Sequence, residues 1–188
     1  MGTGIESSTS NIFQTLPANK PLFDPLLMDL LPKNDNNIYQ QRLEQIIYRL
    51  KTSNNFNKAA KEIYPVAATS SSIVVEMVVG KDHVNNKGTL HGGQTAALVD
   101  IVTSRAVAVT HKNIPMSSTD LSVSYFLPAK IGENLIITAT VLKVGRTMAF
   151  TEIEFRRQVD DALIAKGKHN LAFLPIPQDK MENLGPYY

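Results

Sequence analysis

The sequence predicts an α+β fold in which an antiparallel sheet wraps around one long central helix, with a helical extension at the N-terminus. Three observations carry this expectation. Leu90 to His111 is a long, almost wholly apolar helical stretch, and a helix apolar on every side belongs inside a fold. Three later segments alternate apolar and polar residues with the period of two that marks half-buried strands. No helical pattern separates those strands, so a βαβ arrangement with a parallel sheet is excluded.

The elements follow in chain order. Residues 1–36 hold Ser7-Ser8-Thr9-Ser10 and prolines at 17, 21, 25 and 32, which reads as a loose arm with an apolar anchor from Pro21 to Leu31. From Ile38 to Leu50, apolar residues at 39, 43, 46, 47 and 50 recur at helical spacing. Asn54 and Asn57 flank a second short helical pattern, which Pro65 is expected to end. Residues 37–66 are therefore assigned to N-terminal helices, 67–177 to the sheet-and-helix domain and 178–188 to a tail. Ile73 to Val79 is a β-branched strand closed by Gly80, and the long helix comes next. Leu121, Val123, Tyr125 and Leu127 then share one face; Leu135, Ile137, Ala139 and Val141 share another; Ala149, Thr151, Ile153 and Phe155 share a third. Gly132-Glu133, Gly145-Arg146 and Asp160-Asp161 mark turns, and a last strand runs from Ala162 to Leu174, stopped by Pro175 and Pro177.

Composition removes several function classes. A chain of 188 residues has room for one ordinary domain. A formal charge of +2 is too mild for a nucleic-acid binder. Without cysteine there is no disulfide, no thiolate zinc site and no cysteine nucleophile. The histidines at 83, 91, 111 and 169 never fall at a metal-binding i, i+3 or i, i+4 spacing, so no metal is expected. No apolar run reaches the length of about 18 residues needed to span a bilayer, so stable membrane insertion is not expected. Glu6, Asp24 and Asp29 against the single Lys20 argue against an import signal, and the expectation is a cytoplasmic protein.

The densest segment runs from Asn85 to Asp100. Gly92 and Gly93 open an apolar helix, although glycine inside a helix costs about 1 kcal/mol relative to alanine. At a helix start the first N–H groups lack internal partners and stand at the positive end of the dipole. Removing Cβ there lets a ligand oxygen come close, the geometry of an oxyanion site. A tight turn or close packing would explain the glycines as well. Asp100 is the only acid between Asp82 and Asp120. In such a helix it must be paired, hydrogen-bonded or functional. A pair with Arg105 is one reading, although Arg105 lies about 140° away around the helix.

The run Gly88-Thr89-Leu90-His91-Gly92-Gly93, with Asp100 nine residues after His91, resembles the hotdog-fold acyl-CoA thioesterases of the 4-hydroxybenzoyl-CoA thioesterase superfamily. The branch is the one containing phenylacetate-pathway thioesterase and mammalian thioesterase superfamily member 2. The likeness continues through residues 118–120, 125–133, 141–150 and 163–169, and covers about residues 70–172. It implies a hotdog fold and hydrolysis of acyl-CoA to free acid and CoA, with no cofactor beyond the CoA of substrate and product. In that likeness Asn85 holds the thioester or the water, His91 orients Asn85, and the Gly92 N–H binds the thioester oxygen. Asp100 attacks directly or activates water, and Ser118 helps position it. Gly93, Tyr125, Phe126, Leu127, Pro128, Ala129 and Lys130 would line the substrate groove. So would Lys143, Val144, Gly145, Arg146, Thr147 and Met148, with Lys130, Lys143 and Arg146 near the CoA phosphates. The expected assembly is a homodimer, paired further into a dimer of dimers. Gln94 and Arg105 depart from the pattern, standing where relatives carry small or apolar residues. Asn170-Leu171-Ala172 departs too, where some relatives are basic.

Spacing adds a constraint of its own. Gly92 and Asp100 lie about 12 Å apart along the helix axis, whereas a thioester carbon must sit about 3 Å from both nucleophile and oxyanion donors. Two antiparallel helices about a two-fold axis solve this, with Asn85 and Gly92 from one chain and Asp100 from its partner. Two alternatives stand beside hydrolysis: a non-catalytic hotdog module that binds acyl-CoA as a sensor or scaffold, and a hotdog dehydratase.

Overall fold

The computed structural model describes residues 38–111 and 115–175; the expected arm (1–36) and tail (178–188) lie outside the described residues. Helix α1 (Ile38–Lys51) and a 3-10 turn (Phe56–Ala60) lead into β1 (Ile63–Ala68) and β2 (Ser72–Val78). A second 3-10 turn (Lys81–His83) precedes the long helix α2 (Gly92–Thr110). Strands β3 (Met116–Tyr125), β4 (Asn134–Val144), β5 (Met148–Arg157) and β6 (Leu163–Phe173) complete the domain. They form one six-stranded sheet in the order β1-β2-β4-β5-β6-β3, antiparallel at every pair. The sheet curved on one long helix matches the fold class expected.

Alternation decides which strand faces meet α2. Leu135, Ile137 and Ala139 of β4 and Ile153 and Phe155 of β5 are buried and share a core with Leu98, Val99 and Val102 of α2. At Gly167 of β6 the approach is tight: an added Cβ would lie 3.0 Å from both methyl groups of Val99. Helix α1 buries Leu43, Ile46, Ile47 and Leu50. Its Arg42 donates to the Val109 carbonyl at 3.1 Å, filling one of the acceptors that a helix end leaves open. Among the described residues no helix is long and apolar enough to cross a membrane.

Three expectations are corrected. Pro65 does not end a helix; it lies inside β1, so the sheet begins at Ile63 and residues 63–66 belong to it. Proline lacks an N–H for the ladder, but β1 is an edge strand and its register slips between Pro65 and Ala67, where a proline is tolerated. Leu127 lies beyond the end of β3 and does not share its strand face. Helix α2 is not covered on every side either. Gly93 is exposed, and Ala96, Ala97, Asp100 and Ser104 are only half-buried, so a stripe of mostly small residues stays open along one flank. Strand β3 stands at the sheet edge and is exposed over nearly its whole length.

Candidate active site

The start of α2 is built around His91. Its backbone is extended (φ −69°, ψ 133°), and its Nδ1 accepts the Gly93 N–H at 2.8 Å. Thr95 N–H then begins the helical ladder on the His91 carbonyl. A side-chain cap of this kind satisfies one of the orphan donors of a first turn. The Gly92 N–H has no acceptor among the described residues. The two glycines differ in what they permit. A Cβ on Gly93 would sit 3.1 Å from His91 Nδ1 and push on the cap, whereas a Cβ on Gly92 would make only ordinary 3.5 Å contact with the Tyr125 ring. Packing therefore accounts for glycine at 93 but not for glycine at 92. Tyr125 closes the turn by donating its hydroxyl to the Gly92 carbonyl at 3.0 Å.

The loop before the helix fixes Asn85 without help from His91. Asn85 Oδ1 accepts the Lys87 N–H at 2.8 Å and its Nδ2 donates to Thr89 Oγ1 at 3.0 Å. No hydrogen bond joins Asn85 to His91 among the described residues, so the structure gives His91 the part of a helix cap. A carboxamide carries two N–H donors, and the second on Asn85 is uncommitted.

Asp100 stands two turns further along the open stripe, with its side chain 46% exposed. Ser118 donates its hydroxyl to Asp100 Oδ1 at 2.6 Å, a short charge-assisted bond. Ser118 reaches it because β3 carries a bulge between Ser118 and Asp120, and bulges re-aim neighbouring side chains. Thr119 spans the irregularity by donating to the Asn170 carbonyl at 3.0 Å.

Two more side chains surround this carboxylate. Arg105 forms no ion pair with it among the described residues; its Nε is buried and without an acceptor. Burial lowers the Arg105 pKa, against the pull of the Asp100 charge. His169, which the sequence analysis gave no role, lies with Nε2 at 3.3 Å from Asp100 Oδ1 and is fully buried on β6. Its signal in the sequence is a histidine on the inward-facing register of an alternating strand, which becomes meaningful only once β6 is laid under α2.

The expected groove segments fall into two groups. Residues 125–130 run beside the mouth of α2: Leu90 N–H donates to the Ala129 carbonyl at 2.7 Å, and Thr89 and Lys130 form an isolated bridge. Tyr125, Phe126 and Leu127 are exposed there, while Ala129 is buried. Residues 143–148 form the β4–β5 turn, closed by Gly145 N–H donating to the Met148 carbonyl at 2.7 Å. Met148 and Ser117 pair with the same residue of β6, Ala172. This second group, with Lys143 and Arg146, therefore stands near the Asp100–Ser118 end of β3, and the first stands at the Gly92–Tyr125 end. Within one chain they are not brought together.

The chain has relatives in sequence and in fold. Residues 87–164 match the family profile of the thioesterase superfamily. The chain is 59% identical over 131 residues to the Caenorhabditis elegans protein named "Putative esterase F42H10.6", covering 70% of this chain and 78% of that one. It is 40% identical over 129 residues to acyl-coenzyme A thioesterase 13 of Homo sapiens, covering 69% of this chain and 92% of the relative. The crystal structure of zebra fish thioesterase superfamily member 2 superimposes with a TM-score of 0.69 at 36% identity, over 72% of this chain and 98% of that one. By sequence and fold, the chain belongs to the thioesterase superfamily.

Proposed function

We propose that the chain hydrolyses acyl-CoA esters to free acid and CoA, in a homodimer whose two sites are each shared between subunits. One observation carries this reading. A Ser118-bound Asp100 and an uncommitted Gly92 N–H lie on one helix, eight residues apart, each beside a different groove segment. A two-fold axis perpendicular to α2, through its open flank, sets the Asp100 end of one chain against the Gly92 end of the other, and unites both groove segments. The exposed edge of β3 supports the same assembly, because an unpaired strand edge invites a second copy. A further pairing of dimers is part of the reading, and the names of the relatives supply the acyl-CoA class.

In the proposed reaction the Gly92 N–H, with the α2 dipole behind it, polarises the thioester carbonyl. One such donor is worth about 3–4 kcal/mol in a tetrahedral transition state. The uncommitted Asn85 Nδ2 proton supports the same oxygen or the water. Ser118 occupies Asp100 Oδ1, which leaves Oδ2 as the base that takes a proton from the attacking water. Lys130, Lys143 and Arg146 are the cations at hand for the CoA phosphates.

The test is CoA release from acetyl-, phenylacetyl-, octanoyl- and palmitoyl-CoA by the full chain and by Asp100→Asn. Turnover is expected in the former, with a loss of about 100-fold or more in the latter. A folded dimer that binds these esters and releases no CoA would replace the hydrolase with an acyl-CoA-binding module.

A further inference from the structure

His169 carries more than its proximity to Asp100. It is fully buried on the face of β6 that meets α2. Its Nδ1 lies 2.6 Å from Thr103 Oγ1, and that hydroxyl lies 2.7 Å from the Val99 carbonyl one helical turn back. A hydroxyl has one proton. Spent on Val99, it leaves Thr103 Oγ1 as the acceptor for a protonated Nδ1. Nε2 then presents a bare lone pair to Asp100 Oδ1 at 3.3 Å, covered from solvent and without a hydrogen bond. Two facing lone pairs at that distance repel. A proton placed between them satisfies both.

We propose that His169 is a proton acceptor standing behind Asp100, a positioning residue that stores the proton taken from water until the thiolate leaves. This rests on the thioesterase reading above. As the water oxygen bonds to the thioester carbon, its proton passes to the Asp100 carboxylate. That proton sits on Oδ2, and the carboxyl group turns about its Cβ–Cγ bond to bring the O–H to His169 Nε2. The O–H bond breaks as an N–H bond forms, and Asp100 is again a carboxylate beside an imidazolium. The intermediate collapses with the C–S electron pair leaving on sulfur, and the proton returns through Asp100 to give the thiol. Water is the only co-reactant. The surroundings suit an empty acceptor: burial holds the His169 imidazole below the usual histidine range, opposed by the charges of Asp100 on α2 and Asp120 on β3. From β5, Thr151 offers only a hydroxyl, bound to the His169 carbonyl at 2.8 Å. From β3, the residue paired with His169 is the uncharged Leu121. Arg105 is the cation on α2 near the pair.

The experiment combines nitrogen-15 NMR of the histidine side chains with kinetics of His169→Asn and Thr103→Val. In the full chain near pH 7, the His169 signal, assigned by its loss in His169→Asn, is expected as the neutral tautomer protonated at Nδ1. His169→Asn keeps a donor toward Thr103 and removes the acceptor. Its kcat is expected to fall about 100-fold with KM little changed, and the acidic limb of the kcat profile to move. Thr103→Val releases the tautomer lock, so a mixed or Nε2-protonated signal and a smaller loss of kcat are expected. A His169 protonated at Nε2 in the full chain, or a folded His169→Asn with unaltered kcat and pH profile, would overturn the proposal. If the full chain releases no CoA from any ester, the thioesterase reading itself falls, an outcome distinct from an active chain indifferent to residue 169.

Discussion

Gly167 lies two residues before His169, packed tightly under α2. An added methyl would meet Val99 at 3.0 Å and Ile153 at 3.1 Å, and both neighbours are fully buried. Gly167→Ala is expected to destabilise the fold by about 1–3 kcal/mol, the usual result of overpacking, read as a lower denaturation midpoint in urea. Because β6 must move from α2 to admit the methyl, kcat should fall with it. Ser118→Ala tests a different link. It removes the 2.6 Å bond that positions the Asp100 carboxylate, at an exposed strand and without touching the core. The expected result is a kcat lower by about 10- to 100-fold with the melting temperature nearly unchanged. Asp100 and Gly92 were legible in the sequence because each breaks a local rule: an acid in an apolar helix, glycines where helix formers belong. His169 breaks no such rule. A histidine in a strand is ordinary until a second element is placed on it, so its distance from Asp100 belongs to tertiary structure alone.

At the scale of elements, the outer faces of β5 and β6 are joined by charge. Lys166 of β6 meets Glu154 at 2.9 Å and Glu152 at 3.3 Å, and Arg156 adds a second cation to Glu154 at 3.0 Å. The Lys166 hydrogen bond, with Arg156 behind it, holds the Glu154 carboxyl below its ordinary range. A carboxyl with a depressed folded pKa binds protons more readily when unfolded. Its stabilisation is complete above the ordinary value near 4.5 and is lost as pH falls through the folded one. Glu154→Gln should therefore flatten part of the decline in urea midpoint below about pH 4.5, and leave the region above pH 6 parallel to that of the parent chain. A decline of unchanged steepness would mean that the cross-strand cluster carries no such linkage. The strands that hold this cluster were visible as alternation. β1 was hidden because a proline normally argues against a strand, and its place at a bulged edge is decided by its neighbours. The bulge at Ser118 was hidden for the same reason: a one-residue slip depends on the partner strand.

The whole molecule poses a problem that a single chain does not solve. The open flank of α2, with Gly93, Ala96, Ala97, Asp100 and Ser104, lies beside an edge strand exposed at eight of its ten residues. Ser118 of that strand bonds Asp100 on the flank, and small residues on the helix allow a second α2 to approach closely. An isologous contact repeats itself, so a residue of one chain that meets a second residue of its partner is met in turn by that same pair the other way round. A chain that lacks only its oxyanion donor and a chain that lacks only its carboxylate then complement each other. Gly92→Pro supplies the first defect, since proline is tolerated at the first helical position and removes the N–H. Asp100→Ala supplies the second. Each homodimer should be nearly inactive. After mixing, denaturation and refolding, about half of the dimers are hybrids, and each hybrid holds one intact site, so activity should recover to about a quarter of the parent level. Sites confined to one chain forbid any recovery, because no single chain in the mixture carries both groups. Measured on hybrids isolated by differential tagging, a return to about half of the parent activity per dimer would establish shared sites, and none would return both reacting ends to one helix.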